Sequence, residues 1–138
     1  MKKVKLTMNA TFQTPHTEKM DTLILYVEGV MKQRNGNNIY LYDNLLTQDN
    51  RAQSVELEFG DDYLIKISKF KDFQEKLYLE KGQKFLVKYN GEFRTVVLSD
   101  IKKDLKDGLG KIDINYMVQY RNFMPVEAIY SLQIGEVK

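Results

Sequence analysis

The side chains able to act chemically on another molecule are few and scattered. His16 is the only histidine and sits in "TPHTEK". Catalytic dyads and most zinc sites need a histidine held by partners, so beside Pro15 in a polar loop the solvated reading is preferred. Ser54, Ser68, Ser99 and Ser131 have no Gly-x-Ser-x-Gly around them, which leaves an activated serine without a context. The absence of cysteine removes thiol nucleophiles, thiolate metal sites and a disulfide framework together. In "DLKDGLGKID", Asp104 and Asp107 precede Gly108, but a calcium loop needs oxygen ligands at alternate positions and Lys106 occupies one of them, so a solvated turn is expected. No catalytic residue, metal ligand or cofactor is assigned on this basis, and the chain reads as a non-enzyme.

Two groupings bear on binding. "KISKFKDFQEKLYLEKGQK" interleaves lysines with Phe70, Phe73 and Tyr78, the composition of a surface that neutralises phosphates and stacks bases. Asp72, Glu75 and Glu80 stand among those lysines, so a hairpin with a solvated face is preferred and nucleic acid is not favoured as a partner. Within the same stretch Lys69 extends the alternation of Tyr63, Ile65 and Ile67, and Glu75 extends that of Phe73, Leu77 and Leu79. If the alternation holds, both point to one mouth of the fold. They then pair with each other, which is preferred, or Lys69 receives the carboxylate or phosphate head of a ligand whose tail lies below.

The elements that must position these residues are strands. Apolar residues recur at every second position almost from end to end. Val4, Leu6, Met8, Ala10 and Phe12 share one face of the first segment, with lysines and polar residues on the other. The stretch from Asp21 to Lys32 is apolar on both faces, so its outside is expected to be covered. Asn35-Gly36 marks a tight hairpin, and Val55, Leu57 and Phe59 continue the alternation. "SDIKKDLKDGLG" is the one place where helical spacing competes, which allows at most one short helix near residues 99–109. Ile112, Ile114, Tyr116, Val118 and Tyr120 form the clearest strand, and Ala128, Tyr130, Leu132 and Ile134 the last inward face. For "FLVKYNGEFRTVVL" a bulged turn is predicted, pairing Val87 with Phe93 so that Phe85, Val87, Phe93, Thr95 and Val97 face inward and Arg94 stays wet.

About 8–10 short strands joined mostly by short turns imply an all-β chain forming a single antiparallel β-barrel, one domain over residues 1–138. The most apolar run, "LILYVEGVM", is too short for a membrane-spanning helix and carries Glu28. The basic start "MKKVKLTMNATF" is broken by Lys5, Asn9 and Thr11 and reads as a strand, not a secretory signal. A cytoplasmic location follows as the default. Lys and Arg number 21 against 19 Asp and Glu, and the two signs are mixed along the chain, which demands no polyanionic partner.

The order of "VEGVMK", "IYLY", "LYLEKGQKFLVKYNGEF" and "GKIDINYMVQY" resembles the YwiB-like family of uncharacterised bacterial proteins. The resemblance implies a lipocalin-like, calycin-type barrel. Phe85 and Val87 stand where relatives favour Tyr and Thr, and Lys69 where they favour Arg. The inward set is bulky, which predicts a mostly filled interior with at most a cavity near one mouth. The function expected is binding of a small apolar or amphipathic ligand inside the barrel, with Lys69, Phe85, Phe93, Thr95, Tyr116, Tyr120 and Tyr130 as the inward-facing contacts. The alternative is a filled barrel acting through its outer surface on a protein or RNA, with the doubly apolar strand and the lysine-rich hairpin as its faces. The sequence assigns no oligomeric state.

Overall fold

The computed structural model describes residues 2–13, 22–43, 54–89, 92–119 and 125–137. These form ten antiparallel strands in one sheet: β1 (Lys2–Gln13), β2 (Thr22–Arg34), β3 (Asn37–Asp43), β4 (Ser54–Phe59), β5 (Tyr63–Lys69), β6 (Gln74–Glu80), β7 (Lys84–Tyr89), β8 (Glu92–Lys106), β9 (Leu109–Gln119) and β10 (Val126–Glu136). The lateral order is β6-β5-β4-β3-β2-β1-β10-β9-β8-β7, a sheet curled into a nearly closed barrel. The two edge strands meet at a seam. Closure there rests on a bridge between Lys81 and Leu98, the Gly82 N–H donating to the Leu98 carbonyl at 2.9 Å, and Tyr78 meeting Phe85 edge-on.

Period-2 patterning places most inward faces as the sequence predicts. Val4, Leu6, Met8, Val55, Leu57, Phe59, Ile112, Ile114, Ala128, Leu132 and Ile134 are all buried. The tight hairpin at Asn35-Gly36 is present, with Arg34 opposite Asn37 and positive φ at both turn residues. A second turn of the same kind at Asp107-Gly108 joins β8 to β9.

That second turn leaves no helix in residues 99–109. β8 instead carries a bulge between Leu98 and Asp100, which moves the inward face from even to odd numbers. Val96 and Leu98 point inward before it and Ile101 after it, so the spacing of Ile101 and Leu105 is that of alternate strand residues. The outside of β2 is not covered: Ile24 is 55% and Tyr26 73% exposed.

The barrel has two unlike halves. At the end where the 35–36 and 107–108 turns lie, it is solid. Tyr40, Leu6, Ile112, Leu132 and Val4 are almost completely buried there, and the Tyr40 hydroxyl donates to the Gly108 carbonyl at 2.8 Å. Gly108 has φ of +78°, a conformation that favours glycine, and a Cβ on it would also push against the Met31 thioether. Towards the opposite end the side chains stand apart and enclose a cavity.

Candidate functional site in the hollow half of the barrel

Each inward strand face reaches the cavity through its own alternation. From β4 come Leu57 and Phe59, from β5 Leu64 and Lys66, from β6 Leu77 and Leu79, from β7 Val87, and from β8 Arg94 and Val96. Ile114, Tyr116 and Val118 of β9, Tyr130 of β10, Phe12 of β1 and Tyr42 of β3 complete the wall. The space measures about 390 Å³, within the roughly 300–1,000 Å³ of small-molecule sites.

Register sorts this wall into layers. Lys66 lies opposite Leu57 and Leu77, and one inward step deeper on the same strands are Leu64, Phe59 and Leu79. Arg94 lies opposite Val87, with Val96 one step deeper; Tyr116 stands above Ile114 in the same way. Lys66 and Arg94 therefore sit one step nearer the mouth than Leu64 and Val96, while Tyr116 pairs with Leu98 and Tyr130 with Ile114, so phenols also face the deeper wall, which is otherwise apolar. Lys66 and Arg94 each sit one strand in from the seam, on opposite sides of it.

The electrostatics follow from this setting. Lys66 is exposed by accessible surface, but that surface opens on the cavity it lines, and the protein around its ammonium lowers its pKa by desolvation, which Glu75 partly offsets. Desolvation is the better guide to its charge, since a narrow cavity hydrates an ion poorly. Lys66 forms no ion pair within 4 Å among the described residues. The Nε of Arg94 is buried. Burial also raises the pKa of Tyr42 and Tyr116; Tyr130 is raised by burial first and then by charge on Tyr42 and Tyr116, which places the three phenols near one another. Their hydroxyls make no hydrogen bond to another described residue, so their polar ends are available inside the cavity.

Several sequence-predicted contacts lie elsewhere. Tyr116 and Tyr130 line the cavity, and Phe85 faces inward but packs against the core beside Tyr78. Tyr120 and His16 lie outside the described residues. Phe93 and Thr95 point outward. Val87 pairs with Arg94 and Lys88 with Phe93, so only Asn90 and Gly91 separate the paired residues Tyr89 and Glu92. This is the tight register and not the bulged one, and it exchanges the faces of β8: Arg94 enters the barrel while Phe93 is 56% exposed. Lys69 is corrected likewise. The inward face of β5 is Leu64 and Lys66, so Tyr63, Ile65, Ile67 and Lys69 lie outside.

On that outer face Lys69 borders an open hollow with Lys3, Glu28, Asp43, Ser54 and Glu56. It is slightly larger, about 460 Å³, but shallower and of mixed charge, and has no apolar floor comparable to that of the interior cavity. Tyr63 is held outside by accepting from Asn37 Nδ2 at 2.7 Å and donating to Glu58 Oε2 at 2.9 Å. Sequence reasoning missed Lys66, Arg94 and Tyr42. The available signal was the Asn-Gly pair, whose tight register places Arg94 inside; parity with the isoleucines concealed Lys66.

Fold and site together define a single-sheet antiparallel β-barrel, solid at one end and hollow at the other, with cations facing the hollow. Among solved structures the chain is similar to the crystal structure of ywiB protein from Bacillus subtilis, with a TM-score of 0.63 over 99% of this chain and 93% of that one. The identity is 9%, so the likeness is one of fold, and at that level it agrees with the resemblance read from the sequence. No family model matches the sequence, and no curated protein does. Among the described residues no helix is long and apolar enough to cross a membrane, and no group of three or more His, Cys, Asp or Glu is brought together.

Proposed function

We propose that the protein binds a small amphipathic molecule in the hollow half of the barrel, as a carrier or sensor and not as a catalyst. The observation that carries this reading is the cavity of about 390 Å³, whose wall is mostly apolar and is faced by Lys66, Arg94 and three tyrosines. A mostly apolar wall with a few polar groups favours a guest with an apolar body and a polar end, because each part then meets a matching environment. The calycin analogy, a barrel used from the inside, points the same way.

Mass spectrometry tests it: protein purified under native conditions is measured intact and again after denaturation. A small molecule present in the first spectrum and released in the second is the expected result. Protein that is repeatedly empty, and whose melting temperature does not move across a panel of amphipathic metabolites, contradicts it.

A second reading has its own observation. Ile24 and Tyr26 lie exposed on the outside of β2, beside Asn9 and Thr7 of β1, and an apolar pair on a polar sheet face is a candidate protein contact. Tyr26→Glu would then abolish recovery of a partner from lysate while leaving the cavity's ligand in place.

A further inference from the structure

We propose that the molecule held in the barrel is uncharged and carries a carbonyl oxygen on an apolar body, with Tyr42, Tyr116 and Tyr130 as the groups that receive that oxygen. This rests on the reading that the cavity binds a ligand, and names its chemical class.

The first reason is the inventory of polar groups. Among the described residues, the side chains lining the cavity include three tyrosines, Lys66 and Arg94, and the rest are apolar. Ammonium and guanidinium groups only donate hydrogen bonds, and a phenol hydroxyl has a proton of its own to give. No carboxylate, amide or aliphatic hydroxyl is there to accept one from a guest. A wall of donors is matched by an acceptor. A carbonyl oxygen offers two lone pairs and brings no N–H or O–H that would be left unpaired.

The second reason is where the phenols stand. Tyr116 pairs with Ala128 and Tyr130 with Ile114, so the two are diagonal neighbours on the inner faces of β9 and β10, a spacing of about 7–8 Å that long side chains span. Tyr42 enters from β3, and its charge would be felt at Tyr130, which brings the third phenol to the same region. A small residue lies beside each ring on a neighbouring strand: Gly29 by Tyr42, Ala128 by Tyr116 and Ala10 by Tyr130. No bulky side chain closes off the ring on that side. Tyr40 donates to the Gly108 carbonyl, and Tyr63 is held by Asn37 and Glu58. The three cavity phenols have no such partner among the described residues, although a buried hydroxyl normally has one.

The third reason is charge. Burial raises all three phenols and lowers Lys66, so this space disfavours negative and positive charge alike. A carboxylate or ammonium set among the phenols would meet the same penalty, and a carbonyl does not. Phe59, Leu64, Leu79, Val96 and Ile114 supply the surface for the apolar body.

The test is calorimetric titration of ligand-stripped protein with four probes of similar chain length: methyl pentyl ketone, heptanoate, heptylamine and heptene. The ketone is expected to bind about tenfold or more tightly than either charged probe. Tyr42→Phe, Tyr116→Phe and Tyr130→Phe remove one hydroxyl each and keep the ring. At least two of them are expected to lower ketone affinity about fivefold or more, with heptene unchanged. Heptanoate or heptylamine binding as tightly as the ketone, heptene binding alone, or ketone affinity unmoved in all three variants overturns the proposal and leaves a ligand-binding barrel standing. Binding of none of the four overturns both. The probe panel needs no variant, so it decides even if a substitution fails to fold.

Discussion

At the scale of single residues, the fold tolerates ionisable groups where they are hardest to place, and pH should reveal them. Tyr40 is raised to about 12 by burial, and Tyr42, Tyr116 and Tyr130 are raised from 10.0 for the same leading reason. Each phenol stays protonated in the fold above the pH at which the unfolded chain loses its proton, so above pH 10 the unfolded state binds fewer protons and stability falls as pH rises. Their stabilising effect is complete below pH 10 and, for Tyr40, is gone near pH 12. Lys66 acts oppositely: its pKa is lowered from 10.5, so just below that value the unfolded state holds more protons and stability rises with pH. Urea midpoints measured from pH 7 to 12 are therefore expected to climb slightly, peak near pH 10 and then drop. In Lys66→Met the climb disappears and the midpoint at pH 7 increases. Tyr40→Phe, measured at pH 7, should lose about 1 kcal/mol, because the buried hydrogen bond to the Gly108 carbonyl goes. None of these burial effects is visible in the sequence: Tyr40 and Tyr42 stand in "IYLY" like any strand tyrosines, and their depth is set by strands far away in the chain.

At the scale of elements, what was legible depended on whether one strand face was uniformly apolar. β1, β4, β9 and β10 alternate cleanly, and their inward sets were readable directly. β5 was not, because Ile65 and Ile67 outweigh Leu64 and Lys66 when apolar residues are counted, yet the isoleucines lie on an outer face partly covered by Glu56 and Glu58. β7 and β8 misled for a related reason: the tight register puts Arg94 inside, and a rule against charges in barrels selects the wrong one. Sequence logic thus failed on both strands that deliver cations to the cavity, because a rule that keeps charges out of the barrel selects the wrong face of each. The bulge at Ser99 masked β8 further by switching its parity.

The lysine-rich stretch finds its explanation at this scale too. Lys76 lies on β6 and Lys84 on β7, the two edge strands bordering the seam, and lysine on an edge discourages pairing with another chain. Replacing both with Val should convert a monodisperse preparation into one that associates at high concentration, followed by light scattering. If the double variant shows the same scattering as the parent, the edge explanation for these lysines is wrong.

At the scale of the whole molecule, the two halves of the barrel should answer the same mutation differently. Ile112 belongs to the solid half and Ile114, two residues on, faces the cavity. Ile112→Phe has no room for the added ring and should lose about 1–3 kcal/mol. Ile114→Phe extends into open space, should leave stability nearly unchanged, and should block ligand uptake. A urea titration of both variants checks the contrast; equal losses would mean that the two halves are packed alike.

The division into a solid and a hollow half is tested most directly by methyl-labelled NMR during titration with methyl pentyl ketone. The methyls of Leu57, Leu77, Leu79, Val87, Val96, Ile114 and Val118 should shift and show contacts to the tail, with those of Val4, Ile112 and Ile134 unmoved. Shifts confined to Ile24 and Ile129 on the outer face, with the cavity methyls silent, would contradict a barrel used from the inside.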